Sequence, residues 1–274
     1  MKYEYNLRGK GPELKIGKNF KLKEYIEKAI KKERMSPEAI VVSPGFKAFN
    51  VKMCAKTIRN NIDKGYIYDI SKKDMIYNKR HKTKNPTKRI CEKVPPDKSI
   101  ERRPFEADAR SEYGHWEGDL VIGTRQKGAV LFTLTERKTR EEIILKIPSK
   151  KGIDVARGID KIEKKYKGMF RNKFKTITFD NGVEFRDWRL LEKSYDGRRK
   201  KPRTQIFYAH PYCSGERGTN ENNNRLIRRF IPKGTSIEPI TEEFVQYIED
   251  WINNYPRAMF NYKSTNQIME ELCL

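Results

Sequence analysis

The sequence is poor in the residues that staple a small fold or bind a structural metal. Its 274 residues include four cysteines, Cys54, Cys91, Cys213 and Cys273, and three histidines, His81, His115 and His210. No C-x-x-C pair occurs, and no histidine stands at finger spacing from a cysteine. That argues against a structural zinc site and leaves free thiols as the reading. Long apolar runs are also missing. None approaches the roughly 20 residues that a membrane-spanning helix needs. The opening MKYEYNLRGK has no apolar signal core. A soluble intracellular chain with no membrane partner is the expectation. Acids are in deficit, with 37 Asp and Glu against 60 Lys and Arg, a net charge of +23. Such a surplus points to a polyanion, and nucleic acid is the commonest. The surplus is steeper before residue 110 than after it.

Residues 1–78 read as a small helical, basic region. Leu22, Tyr25, Ile26, Ala29 and Ile30 recur at helical spacing. MSPEAIVV opens a second helix, with Ser36 as N-cap, Pro37 at the first position and Glu38 facing the helix dipole. A turn at Pro44-Gly45 follows, then a third helix over CAKTIRNNI, residues 54–62. Helix, turn and a helix bearing Thr57 and Arg59 fit a DNA-binding unit. A helical hairpin with solvated charges fits the same spacing. Residues 79–110 read as a basic linker, extended along phosphates or simply solvated.

From residue 111 to 274 the texture is that of a folded domain. GHWEGDLVIGT, GAVLFTLTE and EEIILKIP are β-rich runs separated by turns at Gln126-Lys127-Gly128 and Lys138-Thr139, an antiparallel meander. A helix over about 150–166 follows, then a strand ending at Asp180 and a short helix with Trp188, Leu190 and Leu191. The basic insert 193–203 leads to the strand TQIFYA and a helix beginning near Thr219. Two more helices close the domain. One has N-cap Thr241 with an Ile240–Val245 staple, and the other has Ser264 and Gln267 as a capping box. This order predicts an α/β domain. Three antiparallel strands and two further strands form one mixed sheet flanked by helices.

Three acids have odd settings. Asp119 interrupts a strand whose neighbours Leu120, Val121 and Ile122 argue for burial on both faces. Asp180 ends an inner strand, and Glu221 sits in the first turn of a helix. A buried lone carboxylate is costly unless paired or metal-bound, and converging carboxylates repel. A hard cation with oxygen ligands resolves that. Mg²⁺ or Mn²⁺ is the expected partner, and two such ions can serve an in-line phosphoryl displacement. Each acid also has a plainer reading: Asp119 as partner of a core arginine, Asp180 as the start of an Asx-turn, Glu221 as an acid favoured by the helix dipole. Glu117 shares a strand face with Asp119 and reads as a supporting acid. Glu184 reads as a helix cap. His115 and His210 flank the acids in sequence, as proton shuttles or, more simply, as hydrogen-bonded histidines.

These segments resemble the DDE transposases of the IS-thirty insertion-sequence family, whose catalytic core is similar to retroviral integrase. The resembling stretches are GHWEGDLVIG at 114–123, TFDNGVEF at 178–185, HPYCSGERGTNENNNRLIRRFIPKGT at 210–235 and NNYPRAMFNYKST at 253–265. MSPEAI and KTIRNNI are similar to the family's second helical DNA-binding region. The resemblance implies an RNase H-like sheet and a metal-binding catalytic triad of Asp119, Asp180 and Glu221. It implies strand cleavage at transposon ends and attack of the freed 3′ hydroxyl on target DNA. Arg225, Arg228, Arg229, Lys233 and Asn181 are then expected at the DNA, with Thr57 and Arg59 in the front region. Double-stranded DNA (transposon inverted repeats and target) is the implied partner, bound by a homo-oligomer in the bacterial cytoplasm at the nucleoid. Residues 1–18 do not resemble the further helix-turn-helix with which the family opens, so a truncated or degenerate copy is expected. The insert 193–203 lengthens the spacing from Asp180 to Glu221. Gly215 and Arg225 stand where the family often has an aromatic and a glycine. Two other readings fit the same residues: a DNA-binding relic or regulator of the element, and a nuclease that hydrolyses without joining.

Overall fold

The computed structural model describes residues 15–17, 19–71, 74–75, 95–124, 128–197, 201–211, 213, 216 and 218–274. The chain divides into two units. One comprises Met1–Lys82 with Arg257–Tyr262, and the other Thr83–Pro256 with Lys263–Leu274. Most of residues 1–18 and 79–94, the turn residues 125–127, part of the insert at 198–200, and Cys91 and His81 lie outside the described residues. Among the described residues no helix is long and apolar enough to cross a membrane.

The first unit is a bundle of short helices: α1 (Phe20–Lys31), α2 (Pro37–Val42), α3 (Pro44–Lys47) and α4 (Ala55–Asp63). Side-chain caps set their starts. Asn19, Ser36 and Ser43 accept from the backbone N–H groups of Leu22, Ala39 and Phe46. Pro44-Gly45, expected as a turn, instead begins α3, because Ser43 ends one helix and caps the next. Leu22, Ile26, Ile40, Phe46, Ile58 and Ile62 form the core. Arg59 on α4 pairs with Glu38 on α2. The Thr57 hydroxyl lies 3.3 Å from Cys54 Sγ.

The second unit is built on a five-stranded sheet of β1 (His115–Val121), β2 (Val130–Glu136), β3 (Glu142–Ile147), β4 (Thr176–Phe179) and β5 (Gln205–Tyr208), in the order β3-β2-β1-β4-β5. The β1–β2 and β2–β3 pairs are antiparallel, and the β1–β4 and β4–β5 pairs are parallel. This is the RNase H-like mixed sheet. Its helices are α5 (Phe105–Ala109), α6 (Gly152–Tyr166), α7 (Phe170–Lys173), α8 (Trp188–Glu192), α9 (Gly218–Ile227), α10 (Glu242–Asn254) and α11 (Thr265–Glu271). The two caps expected from sequence are present: Thr241 accepts from Phe244 N–H, and Ser264 with Gln267 completes a capping box.

The period-two alternation of strands sorts the side chains onto two faces. Trp116, Phe132, Leu134, Ile143, Ile177 and Phe179 pack with Val155, Ile159 and Ile162 of α6. On the other face, Val121, Leu131 and Ile144 pack with Leu226 and Ile227 of α9 and Ile248 and Ile252 of α10. That second face is half polar, because alternation also puts Glu117, Asp119, Thr133, Thr135, Glu142 and Thr178 on it. β3 is an edge strand, and α10 covers it with side chains. Glu249 Oε2 accepts from Ile144 N–H at 2.6 Å, and Asn253 exchanges two 2.9 Å bonds with the backbone of Glu142. The exposed ladder of an edge strand is thereby closed.

Part of the segment expected as an extended linker is folded. Residues 96–98 and 100–102 form tight 3₁₀ turns leading to α5. Ser99 bridges to Tyr208 beside β5, and Ile100 and Ala107 are buried. Two of its cations turn inward. Lys98 pairs with Glu192 at 2.5 Å over the Trp188 ring, and the buried Arg103 donates to Thr178 Oγ1 at 3.1 Å. The basic insert is tied down in the same way, by Arg203 bonded to Leu191 O, Asp160 and Glu163.

Candidate active site

Asp119 lies in the C-terminal half of β1, and Asp180 directly follows the neighbouring parallel strand β4. Glu117 stands opposite Thr178. The pairing ends there, and Asp119 and Asp180 each lie two residues further along the chain. Alternation gives both the face opposite Phe179. Neighbouring strands lie about 4.8 Å apart, so acids on one face of adjacent strands stand close enough to repel. Gly118 makes the approach possible. A methyl at that position would sit 2.1 Å from the Phe179 ring.

Glu221 is delivered by α9. Asn224, one turn further on, donates from Nδ2 to Asp119 Oδ2 at 2.7 Å. Residues three apart share a helix face, so the face carrying Glu221 is turned toward the end of β1. Arg228, another turn along, donates to Ile122 O at 2.6 Å. Burial lowers its pKa, and the negative charge of Asp119 opposes that shift. Asp180 Oδ1 accepts from Gly182 N–H at 3.0 Å, the expected Asx-turn. Asp119 Oδ1 accepts from Leu120 N–H at 2.9 Å. Glu221 Oε1 accepts from Arg225 at 2.7 Å, in a pair about two-fifths exposed.

Asn181 and Asn224 add oxygen to this corner. Asn181 Nδ2 donates to Ala209 O at 2.9 Å, which ties the turn after β4 to the end of β5. The Oδ1 atoms of both asparagines are buried and have no hydrogen-bond partner. The donor set is therefore carboxylate and amide oxygen, which suits a hard divalent cation. As the side chains stand, no three His, Cys, Asp or Glu among the described residues form a ready cage for a metal.

Several expectations land elsewhere. Glu117, read as a supporting acid, is fully buried and pairs with Arg137. Asp187, not Glu184, caps α8. His115 lies at the far, N-terminal end of β1. It is buried between Thr176 and Glu112, and burial holds its pKa below the usual value. His210 follows β5 and binds Glu216, which raises its pKa. Of the other expected DNA contacts, Arg229 lies over the Trp251 ring at 5.5 Å and Lys233 is exposed. Thr57 and Arg59 belong to the first unit. Asn224 was missed in the sequence, although its i+3 spacing from Glu221 was a usable signal.

No family model matches the chain. Curated relatives do. The chain is 36% identical over 216 residues to a probable transposase for insertion-like sequence element IS1161 of Streptococcus salivarius, covering 78% of this chain and 58% of that protein. It is 34% identical over 179 residues to the transposase for insertion sequence element IS4351 of Bacteroides fragilis, covering 65% and 51%. It is 33% identical over 171 residues to transposase InsI for element IS30C of Escherichia coli, covering 62% and 42%. These relatives are transposases of insertion sequences, and the chain is similar to them. It spans about half the length of these relatives. The catalytic core domain of BIV integrase also matches, at a TM-score of 0.40 and 17% identity, over 58% of this chain and 94% of that one. Similarity to such transposases implies divalent-metal chemistry in general.

Proposed function

We propose that the chain is the catalytic part of a DDE transposase, cutting DNA strands at transposon ends and joining the freed 3′ hydroxyl to target DNA. One observation carries this reading. Asp119 on β1 and Asp180 just after the parallel strand β4 belong to neighbouring strands, and the Glu221 helix is bonded to Asp119 through Asn224. Asp119, Asp180 and Glu221 would hold a pair of Mg²⁺ or Mn²⁺ ions. When bound, such ions neutralise charge at the attacked phosphate and acidify the attacking water or hydroxyl.

The chain's own residues do the rest. Asn224 holds the Asp119 carboxylate in one orientation, and the Asx-turn does the same for Asp180. Arg225 can exchange its exposed partner Glu221 for a phosphate at small cost, because such surface pairs contribute only about 0–1 kcal/mol. Arg228, Arg229 and Lys233 continue the positive track for the DNA backbone. Asn181 braces the loop after β4 at the same corner. In the first unit, Thr57 and the outer face of α4 are the proposed duplex contacts, with Arg59 shared between Glu38 and phosphate. The partner is double-stranded DNA, and joining two ends calls for more than one copy of the chain.

The test is a plasmid carrying the element's own ends, incubated with full chain and Mg²⁺. Wild type gives nicked and joined products. Asp119→Asn, Asp180→Asn and Glu221→Gln each abolish nicking while retaining DNA binding. Normal nicking by any one of them removes that residue from the site, and nicking without joining would make the protein a nuclease.

A further inference from the structure

The half of α9 that carries Glu221 is docked on the sheet by polar groups. Its buried residues there are Thr219, Asn220 and Asn223, and apolar Leu226 and Ile227 follow only in the last turn. Each meets a charged side chain. Arg140 Nη1 donates to Thr219 Oγ1. Asn220 N–H donates to Glu117 Oε2 at 3.2 Å. Asn223 Nδ2 donates to Glu142 Oε2 at 2.6 Å. The acids are themselves braced. Glu117 is held by Arg137, whose Nε donates to Ala107 O at 2.8 Å. Glu142 Oε2 also accepts from Thr135 Oγ1 at 2.6 Å. Glu117 and Glu142 are both fully buried.

We propose that Glu117 and Glu142 are positioning residues that fix the rotation and axial register of α9, and with them the aim of Glu221. The inference rests on Glu221 belonging to the catalytic site. An apolar helix–sheet contact tolerates small rotations, because dispersion contacts are weak and interchangeable. Directional bonds to buried charges do not. A shift of one residue turns a helix by about 100°. Here it would leave buried carboxylates without their helix partners, a strongly unfavourable state. The same carboxylates are too deep to meet DNA, so they act through the helix.

The test uses the full chain with Glu142→Met, Glu142→Gln and Asn223→Ala. Glutamine keeps an acceptor oxygen for Asn223, and Asn223→Ala cuts the same link from the helix side if Glu142→Met fails to fold. Two readouts are taken: amide hydrogen exchange over 219–223 in metal-free protein, and the Mn²⁺ midpoint of nicking per folded molecule. Glu142→Met and Asn223→Ala are expected to speed exchange and raise the midpoint by roughly 10-fold or more, with DNA affinity unchanged. Glu142→Gln is expected to restore both. A lower melting temperature with wild-type exchange and midpoint would overturn the proposal and leave the lattice a stabiliser only. Glu221→Gln is run alongside: normal nicking there sinks the catalytic reading itself, whatever the Glu142 variants do.

Discussion

Asn224 and Asp119, 105 positions apart in sequence, are joined by a 2.7 Å hydrogen bond in which the amide Nδ2 donates to the carboxylate Oδ2. This bond fastens the helix bearing Glu221 to the strand bearing Asp119. It also leaves the amide oxygen of Asn224 buried without a partner.

Asn224→Ala is therefore expected to reduce nicking by about 10- to 100-fold, the usual effect of losing a group that orients a metal ligand. The half-buried site limits the stability cost to about 1 kcal/mol. Nicking rates and thermal unfolding of the same preparation check both. A loss of stability with an unchanged rate would make Asn224 a structural bond only.

Gly118 has the Phe179 ring against it, so Gly118→Ala forces either the ring or β4 to move. The cost is expected at about 1–3 kcal/mol, typical of overpacking, and is read as a lower melting temperature. Because Phe179 directly precedes Asp180, nicking per folded molecule is expected to fall as well.

His115 gives a pH signature. Burial depresses its pKa in the folded chain below the ordinary histidine value of about 6.5. Its contribution to stability is thus present above about pH 6.5 and is lost as pH falls through the folded-state value. Relative to His115→Gln, wild type is expected to lose melting temperature on acidification within that window. Parallel curves for the two proteins would contradict this assignment.

Arg225→Ala separates affinity from stability. The Arg225–Glu221 pair is exposed enough that its loss is expected to change stability by less than about 1 kcal/mol. If Arg225 reaches a phosphate, the slope of DNA affinity against salt falls by about one. An unchanged salt slope would confine Arg225 to its bond with Glu221.

The sheet was legible in the sequence because its signals are local. Val130 to Glu136 reads as a strand from β-branched and aromatic residues, and Thr241 and Ser264 announce their helices through caps. Asp119 and Asp180 stood out because acids at strand ends are rare among apolar neighbours. What stayed hidden depends on tertiary partners. Arg103, Arg137 and Arg203 look like DNA-binding charge in sequence, yet each is buried against acceptors on distant elements. Composition cannot distinguish a cation aimed at phosphate from one aimed at a core carboxylate. The polar docking of α9 was hidden for the same reason, since TNENNN shows no apolar face from which to orient the helix.

The most direct measurement is anomalous diffraction from crystals of the chain soaked in Mn²⁺. Density between the Asp119 and Asp180 carboxylates, within ligand reach of Glu221, is the predicted result, and it disappears in Asp180→Asn. Mn²⁺ bound elsewhere, or no Mn²⁺ at this corner at millimolar concentration with DNA present, would contradict the account.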